Sequence, residues 1–362
     1  MVFGSFDDTD VRTIDSRGFT IRYRLNSVVS LNFLDHSTAD ELPLIKVLGT
    51  GGTIASKGLT ASQTAGYQVD LTIEDLVHSI PDLLTTCNLE YEQVLNVDLK
   101  EIGTPELLKI YQSLARDLDK YDGFVITHGT DTMEETSFFL QLSLITLKPI
   151  VLCGSMRPSS AVSLDGPMNL YQAISIASSH TLHGRGVLIA LNDRIGSGFH
   201  ITKLNANSLD TFKLSNLGDL GHFVNNEIHY YFPPSKPLGI THFDVSSAVE
   251  SSGNAFSVFP EVLIIYAHQG LNNQFIDLAV RQLGAKGLIF ASMGAGLMSS
   301  VTNEFTGRLL LEFNIPIVYL KRTQDGMVPK ASLPKYEDAI AGGYLNPQKC
   351  RILLQLCLYS GY

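Results

Sequence analysis

A chain of 362 residues with 44% hydrophobic and 17% charged residues is long enough for two domains, or one large and one small, with ample material for a core. Its formal net charge of −10 argues against a nucleic-acid or anionic-membrane surface, both of which need clustered Lys and Arg. No run of about 18 apolar residues is present, so no transmembrane helix is expected.

The four cysteines, Cys87, Cys153, Cys350 and Cys357, form no C-x-x-C pair and no metal-ligand spacing with histidine. Cys153 sits in the apolar run Ile150-Val-Leu-Cys153 and reads as a small core residue. A reducing compartment is the simplest reading, and the lack of an N-x-[ST] acceptor agrees with a cytoplasmic protein.

Residues 1–42 read as an N-terminal extension, partly disordered. Asp7, Asp8 and Asp10 with no Lys or Arg before them are unlike a secretory signal. A β hairpin is expected within residues 19–34. From Pro43, strands and helices alternate, the signature of an α/β fold. Strands are expected near 44–48, 90–96, 122–126, 149–152 and 187–191. One helix opens at Thr72-Ile-Glu-Asp75 and another at Thr104-Pro105-Glu106, whose Leu107, Leu108, Tyr111, Leu114 and Leu118 line one face. A third carries Phe138, Phe139, Leu142 and Ile145, and a fourth spans about 167–178. Residues 192–220, rich in Gly, Ser, Asn and Thr, read as a functional loop region.

Low apolar content at 232–239 and 246–254 marks a linker, taken as 232–255. Beyond it, strands at 262–267, 287–291 and 315–320 alternate with helices at 272–283, up to about 313, and at 347–358. The expected architecture is therefore α/β. A larger N-terminal domain (43–231) holds a mostly parallel sheet flanked by helices, and a smaller α/β domain (256–362) follows.

Two stretches carry chemistry. The strand at 44–48 runs into Gly49-Thr50-Gly51-Gly52-Thr53-Ile54-Ala55-Ser56. Glycines there permit positive φ and close approach to a ligand, and hydroxyls stand where open α/β sheets hold ligands. Neither the P-loop nor the G-x-G-x-x-G spacing is present, so taken alone the stretch is a ligand cradle or a tight structural turn. The second stretch, Gly123-Phe-Val-Ile-Thr127-His128-Gly129-Thr130-Asp131-Thr132-Met133-Glu134-Glu135-Thr136, repeats the pattern before a helix.

Together these resemble the two signature segments of the L-asparaginase family, the bacterial-type asparaginase/glutaminase enzymes. The similarity continues through Gly154-Ser155-Met156-Arg157-Pro158, Asp165-Gly166-Pro167-Met168-Asn169-Leu170, Thr202-Lys203-Leu204-Asn205-Ala206-Asn207 and Gly343-Tyr344-Leu345-Asn346-Pro347-Gln348-Lys349. It covers residues 44 to 360, with a fungal flavour. The resemblance implies hydrolysis of L-asparagine to L-aspartate and ammonia, without metal or organic cofactor. It also implies a homotetramer of close dimers, each site completed by the neighbour's small domain, with Gln269 and Gly270 in the corresponding stretch.

Amide hydrolysis needs a nucleophile, a base, oxyanion donors and a clamp on the substrate's charged ends. By resemblance Thr53 is the nucleophile, Tyr67 the tyrosine beside it on a lid, and Thr130 the second threonine. Asp131 is the acid holding the α-amino group, and Lys203 the lysine linked to Thr130. Ser155 offers a backbone carbonyl to the leaving amide. Thr130 is expected to open a helix, placing its N–H at a helix N-terminus. Without the resemblance, Thr130 and Thr132 read as helix caps, Tyr67 as a loop aromatic and Lys203 as a solvated lysine. His128 has no catalytic role in the family, and His268 reads as structural or surface. Asp165 and Asp193 show no sign of converging as a glycosidase pair.

Two departures stand out. The chain stops soon after the helix ending near Leu358, where family members run on for a further short helix, so an uncovered apolar surface is expected there. The segment aligned with the family's α-carboxylate loop is Asn96-Val97-Asp98-Leu99-Lys100-Glu101. It puts Asp98 and Leu99 at the substrate, with Leu99 in the place of a serine. Two other readings stay open: the same chemistry on glutamine or a peptide amide, and a non-catalytic amino-acid-binding relative weakened by Leu99. A leucine cannot donate to a carboxylate, and losing such a donor costs on the order of 1.5–3 kcal/mol. Leu99→Ser is therefore expected to lower the KM for asparagine roughly ten- to hundredfold, read from steady-state ammonia release; an unchanged KM removes Leu99 from the site.

Overall fold

The computed structural model describes residues 10–14, 20–24, 42–66, 68–80, 86–97, 102–179, 183–214, 217–235, 242–251, 258–334 and 339–362. It forms two units, residues 1–42 and 43–362. In the first, β1 (Asp10–Ile14) pairs antiparallel with β2 (Thr20–Arg24). The hairpin thus starts earlier than the expected 19–34. Alternation of Val11, Thr13, Ile21 and Tyr23 with polar neighbours, and Gly18 between the runs, set its place. Residues 25–34 lie outside the described residues.

The second unit is built on an eight-stranded sheet, with a small antiparallel pair, β4 (Ser56–Lys57) and β5 (Gln68–Val69), after its first strand. Its parallel part comprises β3 (Leu44–Gly51), β6 (Asn88–Val97), β7 (Gly123–Thr127), β8 (Ile150–Cys153) and β9 (Val187–Leu191). These stand in the order β6-β3-β7-β8-β9. An antiparallel extension follows: β10 (Arg194–Ser197), β13 (Gly221–Val224) and β14 (Glu227–Tyr230). Strands β7, β8 and β9 are buried throughout and apolar on both faces, as sheets covered on both sides require.

Helices supply that cover. On one face, α2 (Thr104–Asp117) and α3 (Met133–Ser143) bring Leu108, Leu114, Phe138 and Phe139 against Leu48 and Ile126. On the other, α1 (Ile73–His78) and α4 (Gly166–Ala177) bring Leu76, Leu170 and Ile174 against Val47 and Val125. Helix α1 opens with the capping box of Thr72 and Asp75. After β3 the chain moves to β6 on one side, then crosses to β7 on the other. The ends of β3 and β7 therefore flank the switch point where open α/β sheets hold ligands.

A second sheet is parallel: β15 (Val262–Tyr266), β16 (Gly287–Ser292), β17 (Ile317–Lys321) and β18 (Ala339–Ala341). Helices α6 (Gln274–Arg281) and α7 (Ser300–Phe313) connect its first three strands. Helix α8 (Pro347–Tyr359) packs on this sheet and also against α3 of the larger one. Ile352, Leu354 and Leu356 are buried along α8, and Tyr362 meets Phe243 edge-on with ring centroids 6.1 Å apart. The apolar residues expected to be uncovered there are in contact.

Other expectations shift. Residues 192–220 hold β10 and a further pair, β11 (Thr202–Lys203) with β12 (Phe212–Lys213), rather than loop alone. The hairpin β13–β14 turns at Asn225 and Asn226, both at positive φ, a conformation asparagine tolerates better than most residues. Within the expected linker, α5 (Ser246–Ser251) forms and packs on α2 through buried Ala248. Its brevity hid the apolar face. Ile145 lies beyond the end of α3 and is exposed. Among the described residues no helix is long and apolar enough to cross a membrane, and all four cysteines are free.

Lys46 is the cation at the base of β3. It is buried, with its ammonium on Glu92, Asp117 and Ser113. Arg116 also binds both carboxylates, at 2.7 and 2.8 Å. Hydrogen bonds from Arg116 first, then Lys46, hold Asp117 well below the usual carboxylate range. Burial opposes the same shift at Glu92 but is outweighed by bonds from Lys46, Ser113 and Arg116. Depressed carboxylates contribute stability that is present above their unfolded pKa, about 4, and lost as pH falls through the folded values. Lys46→Met leaves the carboxylates short of a cation and should cost about 3 kcal/mol in urea unfolding at pH 7. The difference from wild type should narrow as the pH drops below about 4.

Candidate active site

Strand β3 ends on two consecutive glycines in left-handed conformation, Gly51 at φ 100° and Gly52 at φ 91°. A side chain at either would be strained. The swing turns the chain into a short 3₁₀ turn, Thr53–Ala55, closed by Ala55 N–H on the Gly52 carbonyl (3.0 Å). Ser56 Oγ donates to the same carbonyl at 2.7 Å. Thr53, nearly buried, thus stands at the mouth of the sheet.

The end of β7 is locked beside it. Thr50 Oγ1 donates to the Thr127 carbonyl at 2.7 Å, and His128 N–H to the Cys153 carbonyl at 2.7 Å. A Cβ on Gly154 would lie 2.2 Å from the His128 carbonyl, so only glycine fits where these strand ends meet. His128 is fully buried. The Gly129 carbonyl, 2.8 Å from Nδ1, can only accept, so Nδ1 carries the proton and Nε2 accepts from Thr136 Oγ1 at 3.0 Å. Burial pushes the ring down to about 4 and keeps it neutral. It holds the loop together and does not reach the cleft.

A turn at residues 130–132 follows, and α3 begins at Met133 with Thr132 at the N-cap position. Thr130 therefore sits three residues before the first helical residue rather than opening the helix. Thr132 is no working cap either: its Oγ1 is buried with no hydrogen-bond partner. Thr130 is buried, while the side chain of Asp131 is 74% exposed. Lys203, on β11, reaches both: its Nζ donates to Thr130 Oγ1 at 2.8 Å and to Asp131 Oδ1 at 2.6 Å. An ammonium has no lone pair, so Thr130 Oγ1 accepts here and its own proton is available to a ligand.

Thr53, Thr130, Asp131 and Lys203 share one open cleft of ≈ 1030 Å³, with Ser56 and Gln68. The start of α3 brings the positive end of a helix dipole near it. Sequence reasoning missed Ser56, Gln68, Met156 and Arg157 as lining; Ser56 closes the first signature segment, Met156 and Arg157 lie in the resembling stretch 154–158, and Gln68 directly follows Tyr67. Ser155 is fully buried behind this wall, its Oγ donating to the Arg157 carbonyl at 2.7 Å. Asp165 accepts from Met156 N–H and Arg157 N–H, both at 2.9 Å, and so braces the wall. Asp193 instead accepts from Gln172 Nε2 at 2.6 Å. Tyr67, Asp98 and Leu99 lie outside the described residues. The stretch just before Tyr67 is pinned by Gln63, whose side chain donates to the Ala65 and Gly66 carbonyls, at 2.7 and 3.0 Å.

Family models cover most of the chain. The model described as Asparaginase, N-terminal matches residues 44–236, and the Glutaminase/Asparaginase C-terminal domain matches 261–362. L-asparaginase 2-3 of Saccharomyces cerevisiae is 48% identical over 97% of this chain and 96% of its own. L-asparaginase 2 of Escherichia coli is 39% identical over 88% of this chain and 89% of its own. The crystal structure of the probable cytoplasmic L-asparaginase from Campylobacter jejuni matches with a TM-score of 0.80 and 33% identity. That match covers 87% of this chain and 95% of that one. Agreement at this identity, across both regions of the chain, makes it a member of the bacterial-type L-asparaginase family.

Proposed function

We propose that the chain is an L-asparagine amidohydrolase acting through an acyl-enzyme on Thr53. The observation that carries the reading is the pair of hydrogen bonds from Lys203 Nζ to Thr130 and Asp131, in the cleft that Thr53 also lines. Thr53 Oγ attacks the side-chain amide carbon and its proton passes to a neighbouring base, the role the family gives Tyr67. The C–N bond then breaks, ammonia leaves with a proton, and the aspartyl group remains as an ester on Thr53. Water adds to the ester and L-aspartate departs. Thr130, fixed by Lys203, directs its free proton to the reacting group, and the exposed Asp131 carboxylate accepts the substrate's α-ammonium. Asp98 and Leu99 face the α-carboxylate, and the backbone at Ser155 the leaving amide, on the strength of alignment with the family.

The assembly proposed with it is a homotetramer of close dimers. The smaller sheet and its helices leave Tyr266, Phe275, Leu283, Leu297 and Val301 exposed, apolar surface suited to subunit contact. The four free cysteines fit the proposed cytoplasmic location. The proposed division is an extension to residue 42, a catalytic domain over 43–231, a linker over 232–255 and a smaller domain over 256–362.

Ammonia release from L-asparagine tests the assignment. Thr53→Ala and Thr130→Val should each lower kcat on the order of 10³-fold or more. Wild type without turnover, or Thr53→Ala with wild-type turnover, overturns it. Glutamine in the same assay should turn over more slowly than asparagine, and the reverse order would reassign the substrate. Sedimentation should give four times the chain's 39.6 kDa; a monomer with full activity refutes the tetramer.

A further inference from the structure

Behind the cleft lies a buried polar cluster that none of the catalytic roles uses. Glu134, on the first turn of α3, is buried among apolar residues. Its carboxylate accepts from Asn346 Nδ2 at 3.0 Å, and the nearby Thr202 hydroxyl and Lys203 backbone N–H favour its charged form. Asn346 Nδ2 also donates to Thr202 Oγ1 at 3.1 Å, and Asn346 Oδ1 caps α8 by accepting from Lys349 N–H at 2.9 Å. Lys349 is only 1% exposed. Its Nζ donates to three backbone carbonyls of one short segment: Gly198 at 3.0 Å, Phe199 at 3.0 Å and Ile201 at 2.6 Å.

The segment 198–203 is thus gripped twice, by Lys349 at three of its carbonyls and near its end by Asn346, which ties Thr202 to Glu134. Its last residue is Lys203. Glu134 lies on the first turn of α3, directly after the turn that presents Thr130, the partner of Lys203. Burial works against both charges, raising the Glu134 carboxyl and pushing Lys349 down to about 8. An apolar cluster of the same volume would stabilise the core as well or better, so stability alone does not account for charge here.

We propose that Glu134, Thr202, Asn346 and Lys349 are positioning residues, which fix the backbone of 198–203 and thereby hold Lys203 Nζ on Thr130 and Asp131. Through them, the last helix of the chain sets the geometry of a cleft that it does not line. The inference rests on the role given above to Lys203.

The test is steady-state ammonia release from L-asparagine by the full-length protein. Each variant is assayed well below its own melting temperature. Thr202→Val keeps shape and removes the hydroxyl; Asn346→Ser keeps a cap for α8 and removes the amide bridge. Each should lower kcat at least tenfold, and Thr202→Ser should recover most of it. In a Lys203→Met background, Thr202→Val should cause no further loss, because both act through one group. Variants that lower the melting temperature but keep wild-type kcat would overturn the inference, as would losses that multiply in the Lys203→Met background. Wild-type kcat in Lys203→Met alone would instead remove the role of Lys203 itself. Should Lys203→Met have no measurable rate, the contrast between Thr202→Val and Thr202→Ser decides.

Discussion

The bond from the Thr50 hydroxyl to the Thr127 carbonyl is the constraint on which the site rests. It joins the ends of two neighbouring parallel strands at the point where the chain reverses its direction of travel across the sheet. Parallel strands pair in fixed register, here with Gly49 opposite Thr127. Both strands therefore end at the same height, and each releases a glycine–hydroxyl turn into the same space. Thr53 arises from one turn and Thr130 from the other. The two segments are far apart in sequence and share a cleft because of this register.

Around that pair, function is divided by how much water each group sees. Asp131 is exposed and carries a charge cheaply, which suits a carboxylate awaiting a cation from solution. Lys203 is mostly covered and spends its donors within the protein. His128, the residue a reader of the sequence would first suspect of base chemistry, is sealed behind both and kept uncharged. Its two ring nitrogens are committed to Gly129 and Thr136, so it acts as a rigid spacer between β7 and α3.

Much of this was legible from residues alone, and the limits have physical causes. Strands β7, β8 and β9 are apolar on both faces, β3 departs from this at Lys46, and all four are bounded by Gly or Pro, so their existence followed directly. The start of α3 was misplaced at Thr130 because a threonine before a helix looks like a cap, whether or not its hydroxyl is used; here a turn intervenes. Helix α5 is too short for periodicity to show, and β18 has only three residues. Glu134 and Lys349 were passed over because charged residues on helices are usually solvated. Nothing local distinguishes a lysine that meets water from one that meets three carbonyls contributed by a segment some 150 residues away. Asp165, one of two aspartates that a glycosidase reading would use, instead accepts from two backbone amides of a nearby loop and from the Asn169 side chain.

That last arrangement bears on how this fold diversifies. The wall at Met156 and Arg157 takes its backbone shape from Asp165, through two main-chain N–H groups, with one further tie from the Arg157 guanidinium to the Ser163 carbonyl. A residue fixed by its main chain is indifferent to what its side chain is. Residue 156 can thus vary in size while the frame behind it stays in place, whereas a change at Arg157 also gives up its bond to Ser163. The cleft has a tunable surface mounted on a fixed backbone, and a change of substrate preference can arise there by single substitutions without disturbing the machinery opposite.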